Sequence, residues 1–152
     1  MTVAILLEDI VSDIAALSVA GVNIRDLDQI PENAKNILPV LFPVPNGFIT
    51  DLIWTRESFG AETAAAMNLT YVLHYRYLHA IVGSGGGLLA VYGGMIRNII
   101  LILKAIFSDS SLGAAVDVTL NSISDIGVHT DPAGELQYHG VEITLKVTEY
   151  IQ

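Results

Sequence analysis

Apolar positions recur along this chain with two periods, and the switches between them mark out its elements. Val3, Leu7, Ile10, Ile14 and Leu17 return every three or four residues, with Glu8, Asp9, Ser12 and Asp13 on the other side. That spacing predicts a helix with one apolar face over about 3–18. Thr2 stands where a cap is needed and Gly21 where the helix can end. From 69 to 80 the period becomes two. Leu69, Tyr71, Leu73, Tyr75 and Tyr77 alternate with Thr70, Val72, His74 and Arg76, which predicts a strand with an aromatic face. After a glycine-rich hinge at 83–87, Leu88, Tyr92, Met95, Ile99, Leu103 and Ile106 fall on one side of a second helix over about 88–107. Ile96, Ile100 and Phe107 make it apolar nearly all round, which implies burial on more than one side. Gly93-Gly94 opens room for close packing in its first turns.

A hairpin closes the chain. Val116, Val118 and Leu120 alternate with polar residues, and the phase then slips to Ile123, which predicts a bulge near Asn121-Ser122. Asp131-Pro132-Ala133-Gly134 carries a type I turn signal. Val141, Ile143, Leu145 and Val147 then alternate with Glu142, Thr144, Lys146 and Thr148. The stretch 20–68 is less regular. Val22-Asn23-Ile24 suggests a short strand, and Pro31, Pro39, Pro43 and Pro45 interrupt every helical reading. Val40-Leu41-Phe42 is a brief apolar run before a Pro45-Asn46-Gly47 turn, and Phe48 to Trp54 suggests a strand. Residues 51–68 read as a flexible arm. The expected fold is α/β in the α+β sense. It is a single domain over 1–152, with a mixed, mainly antiparallel sheet of about four strands and two flanking helices. The element order is α-β-β-α-β-β, with a long loop between the first strands.

Composition changes this picture in one respect. Hydrophobic residues make up 52% of the 152 and charged residues only 15%, where soluble domains average about 25% charged. So thin a charged cover predicts that other subunits cover part of the surface. The net charge of −9, with seven basic residues, argues against gripping phosphates. Cysteine is absent, which excludes disulfides and thiolate chemistry. The N-terminal Met1-Thr2-Val3-Ala4-Ile5 lacks the basic region of a secretory signal. Arg97, Asn98 and Lys104 interrupt the most apolar segment, so no membrane span is expected.

Candidate chemistry fails at each place it is sought. The glycine run 83–87 ends in Leu88-Leu89 where a phosphate loop needs Lys and Ser or Thr. His74 and His79 are five apart, so a strand points them to opposite faces. His129 and His139 flank the last turn and are placed to face each other, but two imidazoles without a third ligand make a poor zinc site. No serine completes a nucleophile elbow. No catalytic residue, cofactor or metal is therefore expected. Asp51, Arg56, Glu57 and Glu62 in the arm, with His74 and Arg76 on the mixed strand face, are the candidate subunit-interface or channel residues. A pocket on the Tyr71-Tyr75-Tyr77 face is the alternative, for a small-ligand-binding domain.

The element order resembles that of tail terminator proteins of long-tailed bacteriophages and of the neighbouring head–tail joining proteins. The textual cues are Tyr71-Val72-Leu73-His74-Tyr75-Arg76-Tyr77-Leu78 before the glycine-rich break and Gly140-Val141-Glu142-Ile143-Thr144-Leu145-Lys146-Val147-Thr148-Glu149 near the end. The resemblance implies a virion protein that forms a hexameric ring in the tail or neck. Such a ring caps the tail tube, stops its polymerisation and offers a surface to the head connector or stopper protein. Double-stranded DNA passes through the channel without specific binding, a task that suits an acidic lumen.

Overall fold

Two tandem strands share one edge of a single long strand, and the rest of the sheet is built outward from there. The computed structural model describes residues 6–30, 34–57, 66–83, 87–108, 116–130, 134 and 136–151. Helix α1 spans Leu6–Ala15 and is followed by the short strand β1 (Asn23–Ile24) and a 3-10 turn at Leu27–Gln29. Strands β2 (Val40–Pro43), β3 (Ile49–Glu57) and β4 (Ala66–Ile81) come next, then helix α2 (Leu88–Ser108) and strands β5 (Val116–Thr130) and β6 (Gln137–Ile151). The sheet runs β1-β2-β4-β6-β5, with β3 also on β4. Among the described residues, β1–β2 is the one parallel pair and the others are antiparallel.

The class is the expected one, mixed α+β with a mainly antiparallel sheet and two helices, but the strand count and order are corrected. Among the described residues there are six strands, and four of them precede α2. The arm at 51–68 is corrected at both ends. Asp51–Glu57 belong to β3 and Ala66–Asn68 open β4, with Glu57 paired to Ala66; residues 58–65 lie outside the described residues. The Pro45-Asn46-Gly47 turn does not reverse the chain. Val44 N donates to the His74 carbonyl and His74 N to the Phe48 carbonyl, so β2 and β3 run on in one direction beside β4.

Alternation decides the two faces. Tyr71, Leu73, Tyr75 and Tyr77 of β4 and Val141, Ile143, Leu145 and Val147 of β6 are buried under Ile10, Val11 and Ile14 of α1 and Met95, Ile99, Ile102 and Ile106 of α2. Each such side chain contributes about 1.5–3 kcal/mol when fully buried. α2 is long and apolar enough by composition to cross a membrane, but one side of it forms this core. On the opposite face a smaller core joins Val40, Phe42, Leu78 and Tyr138 to Ala34, with Ile30, Ile37 and Leu38 packed against it. Part of the proline-rich stretch thus lies as a strap across one end of the second face.

Bulges adjust the phase. The slip between Leu120 and Ser122 in β5 falls where the sequence pattern breaks. A second bulge leaves His79 of β4 without a rung and turns Ile81 to the side of Tyr138. A third lies at Asp51-Leu52, where Asp51 has φ +56°, a left-handed backbone that Asp adopts more readily than most residues.

Beneath α2 the sheet carries a polar network. Asn98 Nδ2 donates to the Tyr77 hydroxyl at 2.8 Å, and that hydroxyl lies 2.6 Å from His79 Nδ1. With Asn98 donating, the tyrosine hydroxyl keeps its own proton to donate to Nδ1, an arrangement that fits a neutral His79 protonated on Nε2. Nε2 would lie only 3.0 Å from a Cβ at Gly94, so this helix glycine makes room for the imidazole. Tyr92 Oη lies 3.1 Å from His139 Nδ1. Burial, with His139 adding to it, holds the His79 pKa below the usual range, and burial pushes the Tyr77 hydroxyl up to about 12.

Two expected outcomes follow from this network. A histidine held neutral in the fold contributes stability that is complete above its unfolded pKa and declines as pH falls through about 6.5. The urea midpoint is therefore expected to be lower at pH 5.5 than at pH 7.5, with His79→Gln flattening the slope; equal midpoints at both pH values would refute the assignment. Separately, Tyr77→Phe strands Asn98 and His79 and is expected to cost about 1–3 kcal/mol. Tyr75 is as deeply buried, but its hydroxyl meets no hydrogen-bond partner among the described residues. Tyr75→Phe is therefore expected to be neutral or stabilising, and paired thermal melts of the two variants check the contrast.

Candidate functional site

The second face of the sheet, beyond the strap, carries a cluster of paired polar side chains. Along β4 and β6 the even positions point here, and cross-strand register brings them into rows. Arg76 pairs with Glu142, and His74 with Thr144. Glu142 Oε1 lies 3.9 Å from an Arg76 guanidinium nitrogen and Oε2 lies 3.6 Å from His74 Nδ1, all three side chains being partly exposed. The other imidazole nitrogen lies 2.6 Å from Thr50 Oγ1 on β3. Thr144 is buried and satisfied by Asn121 at 3.1 Å and Ser122 at 2.7 Å, both at the β5 bulge. A groove of about 310 Å³ runs beside this cluster, lined by Asp51, Ile53, Thr70, Val72, Asn121 and Lys146.

Of the six residues singled out in the sequence, the fold brings His74 and Arg76 together around Glu142, and it sets Asp51 in the adjoining groove. Arg56 and Glu57 lie in the outer half of β3, and Glu62 lies outside the described residues. The sequence reading missed Thr50 and Glu142. Their signal was the cross-strand register, which needs the long pairing of β4 with both β3 and β6. Hydroxyl, imidazole and carboxylate stand in a line, but the carboxylate is beyond hydrogen-bond distance of the ring and is shared with Arg76. The arrangement holds a fixed, partly desolvated charge pattern suited to a polar contact.

His74 and His79 lie on opposite faces, as the spacing requires, since His79 reaches Tyr77 on the helix side. The facing of His129 and His139 is corrected: His129 stands opposite Tyr138 and His139 opposite Val128, so the two imidazoles point to opposite faces. Among the described residues, no three or more His, Cys, Asp or Glu side chains group so as to hold a metal ion. The aromatic pocket is corrected as well. Tyr71, Tyr75 and Tyr77 are 2%, 1% and 0% exposed, because α1 and α2 fill the space over them.

Apolar surface remains uncovered elsewhere. Leu120, Ile123 and Val128 of β5 share rungs with buried Leu145, Ile143 and His139 yet are exposed, so the helix layer stops short of β5. Leu52, Ile53 and Trp54 are exposed on β3 at the opposite edge. No protein-family model matches the chain, and no curated protein sequence matches it.

Proposed function

We propose that this chain is a structural virion protein, a tail terminator that assembles into a ring, caps a phage tail tube and presents a surface to the head connector. The observation that carries this reading is apolar surface left bare on both sheet edges and on α2, in a chain with only 15% charged residues. Patches of this kind mark protein–protein contacts. A head-to-tail contact uses different patches on successive copies and closes into a ring when the rotation fits, and bare surfaces on opposite edges of one sheet suit that arrangement. The net charge of −9 suits a channel through which DNA slides without sticking. The ion-paired face around Glu142 offers a polar contact to a tube or connector subunit.

The test is mass measurement of the purified protein, alone and with its tail-tube partner. A discrete ring of six that binds tube ends and halts their growth is expected. A persistent monomer indifferent to tube ends contradicts the reading. Rings that ignore tube ends but bind the head connector would instead favour a head–tail joining role.

A further inference from the structure

The outer face of α2 is the most apolar exposed surface of any helix here. Leu89 is 91% exposed, Ile96 45%, Ile100 53% and Phe107 46%. At about 100° per residue these four positions form one stripe, opposite buried Met95 and Ile102. Arg97 and Lys104, both exposed, lie along one border of the stripe two turns apart. The helix contains no acidic residue, in a chain with sixteen of them.

This charge pattern decides what can cover the stripe. Two copies of α2 packed about a two-fold axis at Ile100 bring Arg97 of one copy towards Lys104 of the other. Like charges then meet with no acid to answer them. A complementary surface lies elsewhere on the same chain. Between α1 and the 3-10 turn runs a groove of about 360 Å³, lined by Glu8, Asp26 and Asp28 together with Leu27, which is 38% exposed. It matches the helix in kind, with Leu27 as apolar contact beside two exposed acids, Glu8 and Asp28, while the Asp26 carboxylate is taken up by Leu27 N and Ser12.

We propose that the outer face of α2 docks into the acidic groove between α1 and the 3-10 turn of a second copy of this chain. The inference rests on the self-assembly reading above and adds a helix-to-groove contact to the sheet-edge surfaces described there. Each copy keeps one free helix face and one free groove, so the contact is directional, and successive copies add in one sense only. The apolar stripe supplies the burial, and the paired charges fix register and exclude the two-fold alternative.

Sedimentation velocity of the full chain tests this. Arg97→Glu with Lys104→Glu is expected to weaken assembly at least tenfold, and so is Glu8→Lys with Asp28→Lys. Combining all four reversals is expected to restore it. Leu89→Asp, at a position that contributes nothing to the core, weakens assembly without change in circular dichroism. Either charge pair assembling like the unaltered chain overturns the proposal, as does failure of the fourfold variant to recover. A wild-type chain that remains monomeric overturns it too, and so does binding of the α2 face to lipid vesicles in preference to protein. Rings that respond to these reversals but never cap a tube count against the terminator reading alone. Rings that ignore them count against this interface alone.

Discussion

Phe42→Ala is expected to cost about 3–5 kcal/mol, the range for emptying a buried aromatic site. Phe42 is fully buried among Val40, Leu78, Tyr138 and Ala34 in the smaller core. Ile30, Ile37 and Leu38 pack on that same core, so a cavity beneath them also loosens the strap. Urea unfolding should show the lowered midpoint, and limited proteolysis should cut the strap sooner than in the unaltered chain. A loss below about 1 kcal/mol would mean that the strap collapses into the space. The second face would then owe less to Phe42 than its burial implies.

Gly140→Ala is expected to cost about 2–3 kcal/mol, the upper part of the overpacking range. A Cβ at this position would overlap the Tyr77 carbonyl oxygen and approach Leu78 Cδ2 to 2.9 Å. The carbonyl belongs to the paired backbone of β4, next to the bulge at His79, and cannot swing aside as a side chain could. Gly140→Val is expected to prevent folding altogether. The urea midpoint of the alanine variant checks the claim, and an unchanged midpoint would show that the β4–β6 ladder can open at the bulge without penalty.

Neither site could be foreseen from the pattern of residues, and the reason is physical. Periodicity reports which face of an element is apolar, so β4, β6 and α2 were legible nearly end to end. A bulge shows when it shifts an alternating pattern, as at Asn121, but the bulge at His79 sits where the alternation is ending. β1 and β2 are two and four residues long, too short for a period; β2 is held by the edge of β4, and β1 in turn by the edge of β2. The role of Gly140 depends on the carbonyl across the ladder, and that of Gly94 on an imidazole below the helix. Both are contacts between residues distant in sequence. The ion-paired cluster was half legible: the mixed face of β4 pointed to His74 and Arg76, and only register could add Thr50 and Glu142. The acidic composition concealed the basic character of α2, because a whole-chain charge averages over a helix of opposite sign.

β4 and β6 run side by side for sixteen and fifteen residues, roughly 50 Å of strand at about 3.3 Å per residue. Under load this pair acts as a beam. A pull that slides the two strands in opposite directions strains every rung at once, whereas peeling β2 from the edge breaks one rung at a time. Tension applied along β6 is therefore shared over the full length of its ladder with β4, while the tandem strands on the far side of β4 lie outside that line of force.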